Sequence, residues 1–182
     1  MKLVFKPKLS QRIKQPLEVQ KQINYSLDFI SGDLTNGRRV RILNIMDDFS
    51  KECLAAYADY CMESIVVLDH IVSEREKPTR IKTDNGPKFI SKVLNRWCEK
   101  MELSLQFIEP RKPMQKGCVE RLNSTFREDV LNAFLFETLE QLRILYVEWV
   151  YDYNNMKPNS ALRSMSPSMI AKNNRILTIQ LN

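Results

Sequence analysis

Glycine is scarce in this 182-residue chain, four in all, and none builds the G-x-x-x-x-G-K-S/T run that cradles nucleotide phosphates. Nucleotide-dependent chemistry is thereby disfavoured. Cysteine is equally sparse. Cys53, Cys61, Cys98 and Cys118 form no C-x-x-C pair, and a single histidine, His70, argues against a zinc site. The four thiols read as reduced, mostly buried apolar residues rather than a disulfide framework. No apolar run approaches the ~18 to 20 residues that cross a bilayer. The opening MKLVFKPKLSQRIKQ is too basic and too interrupted for a signal peptide. The chain reads as cytoplasmic, with no membrane partner.

What is present fits one globular domain with short appendages: 43% hydrophobic and 27% charged residues over 182 positions. The net charge of +6 is unevenly placed. Residues 1–22 hold Lys2, Lys6, Lys8, Arg12, Lys14 and Lys21 against Glu18 alone. A basic arm ahead of a nearly neutral body points to a polyanion, because each neutralised phosphate releases condensed counterions. A solvated terminus is the competing reading of the same charges.

From Tyr25 the pattern alternates, with Tyr25, Leu27 and Phe29 on one face of a strand and Ser26, Asp28 and Ile30 on the other. Asn36-Gly37 signals a hairpin, and residues 39–46 form the return strand. Asp47-Asp48-Phe49-Ser50 is a second turn, followed by a strand near Glu52 to Asp59. Helix and strand then alternate: a helix near Met62 to Glu74, a strand Arg80 to Thr83, a helix near Ile90 to Met101 and a strand Ser104 to Ile108. Two more helices follow Pro110 and Pro113. One carries the stripe Val119, Leu122, Phe126 and Val130, the other Leu139, Leu142, Tyr146, Trp149 and Tyr153. A three-strand antiparallel meander followed by alternating helices and strands predicts a mixed α/β sheet with helices on both faces. The core is expected over residues 23–162, with a short tail over 163–182 in which Ser166-Pro167 starts a helical turn.

Three acids stand out. Asp28 is mid-strand among apolar neighbours, a costly position without compensation. Asp84 ends a strand and opens the turn Asp84-Asn85-Gly86-Pro87, and α/β sheets place ligands at the carboxyl ends of strands. Glu120 lies at the edge of the Val119 stripe, about 100° round the helix, with Asn123, Ser124 and Arg127 on its side. Two strand carboxylates and one helix carboxylate can hold two divalent cations, since Mg²⁺ prefers hard oxygen ligands. The spacing of Asp84 and Glu120 is not diagnostic alone, and the helix taken by itself favours a solvated face for Glu120.

The motifs around these acids are more specific. Tyr25-Ser26-Leu27-Asp28-Phe29, Asn36-Gly37-Arg38-Arg39, Asp47-Asp48-Phe49-Ser50, Thr83-Asp84-Asn85-Gly86-Pro87 with Phe89, Val119-Glu120-Arg121 with Asn123, and Asp152-Tyr153-Asn154 through Pro158 to Ser160-Ala161-Leu162 occur in order. Over about residues 10–171 the chain resembles the integrase catalytic core of DDE transposases, in the retroviral-integrase-like superfamily. More narrowly it resembles the second-frame transposase of bacterial insertion sequences. The resemblance implies an RNase H-like fold, with Asp28, Asp84 and Glu120 as the catalytic and metal-binding triad and two Mg²⁺ or Mn²⁺ ions. It implies DNA strand cleavage and strand transfer in which water and then a DNA 3′-hydroxyl attack, so no Ser-His or Cys-His nucleophile is needed. Lys2, Lys6, Lys8, Arg12, Lys14, Lys116, Asn123 and Arg127 are the expected DNA contacts. Partners would be the element ends and target DNA, a separate helix-turn-helix protein from an upstream frame, and further copies of the chain on DNA; the protein would then be nucleoid-associated.

The chain departs from the family pattern in places. Tyr25 replaces a common Trp, Lys88 a common Glu, and Lys157-Pro158-Asn159 an Arg-Pro-His. Gly117 costs about 1 kcal/mol relative to Ala if it lies inside a helix. Relatives usually carry a helical DNA-binding segment upstream, whereas only 27 residues precede Asp28. The basic arm should therefore hold DNA without reading its sequence. Two other readings follow from the same residues: a truncated remnant that binds DNA or partner subunits without catalysis, and a nuclease of RNA-DNA hybrids. The second loses ground because Asp47 and Asp48 read as turn residues, not as a fourth carboxylate ligand.

Overall fold

The computed structural model describes residues 22–61, 64–84, 92–108 and 117–173. Alternation in the first strand has the expected consequence. β1 (Asn24–Asp33) pairs antiparallel with β2 (Arg39–Asp47), and β2 with β3 (Cys53–Asp59). The hairpin turns at Gly37, whose φ of +77° an L side chain rarely adopts. Leu34 accepts from the Gly37 amide and donates to Arg38. β4 (Arg80–Thr83) then lies parallel to β1 on its other side, and β5 (Ser104–Phe107) parallel to β4. The order β3-β2-β1-β4-β5 puts β1 at the centre of a mixed sheet.

The two faces of β1 bury against different helices, as its sequence requires. Tyr25 and Leu27 join Leu43 and Ile45 of β2 in a core with Val67, Leu68 and Ile71 of α1 (Ser64–Glu74) and Leu94 and Trp97 of α2 (Lys92–Lys100). Ile30 joins Ile42 and Met46 on the opposite face, against Leu122 and Phe126 of α3 (Gly117–Phe126) and Leu142, Tyr146 and Trp149 of α4 (Leu139–Asn155). Every member of both helical stripes is buried. Gly117 is the first described residue of α3.

Three features depart from the expected plan. Beyond Phe126 the helix widens into a π-helical turn over Arg127–Leu131, which keeps Val130 buried. The thiols are not uniformly buried: Cys53 and Cys98 are, but Cys118 is half-buried and Cys61 is exposed beyond the end of β3. Burial also passes the expected boundary at residue 162. The chain is helical again over 167–173, beginning where Ser166-Pro167 predicts, with Ser166 and Ile170 packed inside.

Several residues of the sequence motifs serve the scaffold. Asp47 accepts from the Phe49 amide at 3.0 Å and the Ser50 hydroxyl at 2.7 Å, which closes the turn expected there. Asp48 accepts from Ser26 Oγ at 2.5 Å and pairs with Lys82 Nζ at 2.7 Å, tying that turn to β1 and β4. The pairing of β2 with β3 slips between Ile45 and Met46. Asn154 of α4 caps the slipped strand, accepting from the Cys53 amide at 2.8 Å and donating to the Cys53 carbonyl at 2.9 Å. No helix among the described residues is long and apolar enough to cross a membrane.

Candidate active site

Asp28 lies on β1, and Asp84 directly follows β4, the strand parallel to it. Parallel pairing sets Asn24 beside Arg80, Tyr25 beside Ile81 and Ser26 beside Lys82. Continued at the same step it sets Asp28 level with Asp84, on strands roughly 4.8 Å apart. β4 ends at Thr83, so Asp84 stands at its carboxyl end. Side chains alternate: the Lys82 ammonium pairs with Asp48, which also accepts from Ser26 on the α3 side of the sheet, and alternation turns Asp28 and Asp84 toward that same side.

Asp28 is only 7% exposed, and the structure supplies the compensation its burial demands. Asn123 Nδ2 donates to Asp28 Oδ2 at 2.7 Å, and the Phe29 amide donates to Asp28 Oδ1 at 3.0 Å. Asn44, directly across the β1–β2 ladder from Asp28, donates through Nδ2 to Asn123 Oδ1 at 2.5 Å. The result is a buried relay from Asn44 through Asn123 to the carboxylate, with every donor aimed toward the charge. Asn123, an expected DNA contact, is buried here with its amide bonded to Asp28 and Asn44.

Glu120 lies one turn before Asn123 on α3 and is exposed. Its helix is thus fixed over Asp28 by Asn123 while the glutamate itself faces outward. Among the described residues, no group of three His, Cys, Asp or Glu side chains stands close enough to hold a metal ion. The donor chemistry of Asp28, Asp84 and Glu120 suits a hard divalent cation; the two aspartates lie on neighbouring strands or at their ends, and the glutamate is exposed on α3. Arg127 is exposed and donates to the Ser31 carbonyl at 3.3 Å, at the far end of α3. Lys2, Lys6, Lys8, Arg12, Lys14 and Lys116 lie outside the described residues, as do the arm through residue 21 and the Asn85-Gly86-Pro87 turn.

Sequence reasoning missed Asn44. Its position opposite an acid in an alternating hairpin is the one signal that could have found it, because a polar side chain on a buried face needs a partner.

The family model described as "Integrase core domain" matches residues 21–113, and a second of the same description matches residues 101–167. A 31.7 kDa protein of insertion element IS407 from Burkholderia multivorans is 36% identical over 154 residues, covering 83% of this chain and 56% of the relative. A 39.2 kDa protein of insertion element IS476 from Xanthomonas euvesicatoria is 32% identical, covering 83% of this chain and 44% of the relative. The chain spans about half the length of these curated relatives. Among solved structures, the HTLV-2 integrase catalytic core domain in complex with magnesium superposes with a TM-score of 0.59 at 18% identity, over 81% of this chain and 94% of that one. The simian T-cell lymphotropic virus intasome reaches 0.63 at 18% identity, over 84% of this chain and 55% of that one. The likeness establishes the RNase H-like fold.

Proposed function

The chain belongs to the integrase core domain family, and we propose that it is the catalytic core of an insertion-sequence transposase, cutting and rejoining DNA with Asp28, Asp84 and Glu120 as the ligands of divalent cations. The observation that supports this reading is the parallel pairing of β1 with β4, whose register runs toward Asp28 and Asp84, with α3 tied to Asp28 by the bond from Asn123. Two adjacent carboxylates repel unless cations lie between them, and hard oxygens are what Mg²⁺ or Mn²⁺ takes. Two such ions, when bound, would supply charge to offset the attacking and leaving oxygens of an in-line phosphoryl displacement.

The protein's own residues have separable tasks in this reading. Asp28 presents a carboxylate oriented by Asn123 and the Phe29 amide. Asp84 presents the second from the end of β4, and Glu120 the third from α3. The basic arm and Arg127 attract the phosphate backbone. Element-end recognition comes from a separate helix-turn-helix protein, and the chain works as a homo-oligomer on DNA. The HTLV-2 core, described in trimeric and dimeric forms, supports the last point.

A second reading, DNA binding without catalysis, is favoured by the exposed Glu120 and by the lack of a gathered metal trio among the described residues. Cleavage and strand joining of labelled branched DNA in Mg²⁺ or Mn²⁺ separates the two. The wild type is expected to give metal-dependent products and Asp84→Asn none. Asp84→Asn should keep or raise thermal stability without metal, since one of two facing charges is gone. A folded, DNA-binding wild type that yields no product would move the conclusion to the non-catalytic reading.

A further inference from the structure

Two adjoining cavities, about 220 and about 120 Å³, lie beside the first turn of α3 and share Arg121, Tyr153 and Asn159. Lys51 lines the first and Lys157 the second. Among the described residues, no carboxylate lines either one. The contrast with another cavity, of about 290 Å³, is sharp: Asp47, Glu52, Glu74 and Glu76 line that one, together with Arg75.

The cations of the groove are differently committed. Lys157 Nζ is paired with Asp129 Oδ2 at 2.5 Å, so its charge is largely answered. Lys51 Nζ donates to the Asp48 carbonyl, a neutral acceptor. Arg121 is exposed, and no carboxylate among the described residues pairs with its guanidinium. Lys51 also has φ of 62°, a left-handed conformation in which glycine would be at ease and a long side chain is not. The chain carries a cation at a place where its backbone favours none. Tyr153 has its phenol pushed up by burial, opposed by Arg121 and Asn159 close by, so it stays a hydrogen-bond donor at neutral pH.

We propose that this groove is a subsite for one phosphodiester of a DNA strand, held by the Arg121 guanidinium and the Lys51 ammonium with Asn159 and Tyr153 as neutral partners. A guanidinium fork matches the paired oxygens of a phosphate, and a lysine adds a point charge. With a water occupying about 30 Å³ in the liquid, either cavity holds a phosphate and its solvent. Arg121 follows Glu120 on the same turn of α3, about 100° round the helix from it. The inference rests on the DNA-processing reading above and places a strand within it.

Fluorescence anisotropy with a short labelled duplex, titrated over a range of salt, tests it. Wild type is compared with Arg121→Gln, Lys51→Gly and Lys100→Gln; Lys100 is exposed on α2, on the opposite side of the sheet. Arg121→Gln and Lys51→Gly are expected to weaken binding by about fivefold each and to lower the salt slope by about 0.9 each, with Lys100→Gln unchanged. Melting temperatures should show Arg121→Gln folded and Lys51→Gly equal to or above wild type, because the left-handed strain is relieved. Wild-type affinity and slope in both groove variants would overturn the subsite, as would an equal loss in Lys100→Gln, which marks diffuse charge. Displacement of DNA by inorganic phosphate at matched ionic strength, in wild type but not in Arg121→Gln, supports the groove as the phosphate contact. A melting-temperature rise with inorganic phosphate and no effect of either variant on DNA would assign it to free phosphate and overturn the strand assignment. A wild type that binds no DNA at all would instead remove the functional reading beneath it.

Discussion

Cys53, 1% exposed at the start of β3, has its thiol pushed up to about 12 by burial, with the Glu52 charge adding to it. Burial likewise raises Cys98 to about 11, and burial together with Asp47 raises Tyr25 to about 12. In the unfolded chain these groups ionise near 9 to 10, so above that range the unfolded state releases protons that the folded state keeps. Their contribution to stability is complete below about pH 9 and is lost as pH rises toward 12. Urea midpoints should therefore be level with respect to these groups at neutral pH and fall above pH 9, by up to about 1.4 kcal/mol per pH unit for each group. Cys53→Ala should start less stable and show a shallower alkaline fall. An unchanged alkaline slope in that variant would remove Cys53 from the account. At this scale the sequence announced Asp28 as a residue in need of help but could not name the helper. Asn123 lies 95 residues away from Asp28 and Asn44 lies 79 from Asn123, separations that no local pattern reveals.

Among the elements, α3 is the one whose attachment matters most. Phe126 packs against Tyr146 and Trp149 of α4 with ring centroids 4.2 and 5.0 Å apart, while Asn123 reaches the sheet. One contact is dispersive and tolerant; the other is polar, buried and specific. Replacing Asn123 by Ala leaves the Asn44 amide and the Asp28 carboxylate short of a partner in the interior. The expected cost is about 2 kcal/mol in denaturant unfolding, and the metal concentration needed for half-maximal DNA cleavage should rise as Asp28 loses its orientation. A stability loss with unchanged metal dependence would make Asn123 a scaffold residue only. The helical stripes were readable because helix periodicity is imposed by the core itself. The π turn and the slipped strand were not, since each is an adjustment between elements rather than a property of either.

For the whole molecule, the antiparallel meander, the mixed sheet and the helices on both faces follow from the order of periods along the chain, whereas the strand order does not. The alignment of β1 with β4 does not either, because their register is set by a parallel crossover with a helix between them. Charge belongs to this scale too, since six cations before residue 23 dominate the net balance. Deleting residues 1–22 is expected to weaken nonspecific DNA binding and flatten its salt dependence by a slope of up to ~5. An unchanged slope by anisotropy would leave the arm without a role in binding.

The widened turn over Arg127–Leu131 has a genetic corollary. A π turn holds one residue more than an α turn of the same span, in effect a single-codon insertion that has been kept. Removing one codon there would preserve the reading frame and let the turn tighten to α geometry, so the loss is absorbed locally. One codon removed inside α3 has no such slack: the residues after it turn by about 100°, and the stripe of Leu122 and Phe126 leaves the core. Changes in chain length are thus more neutral at this point than in the helix that precedes it.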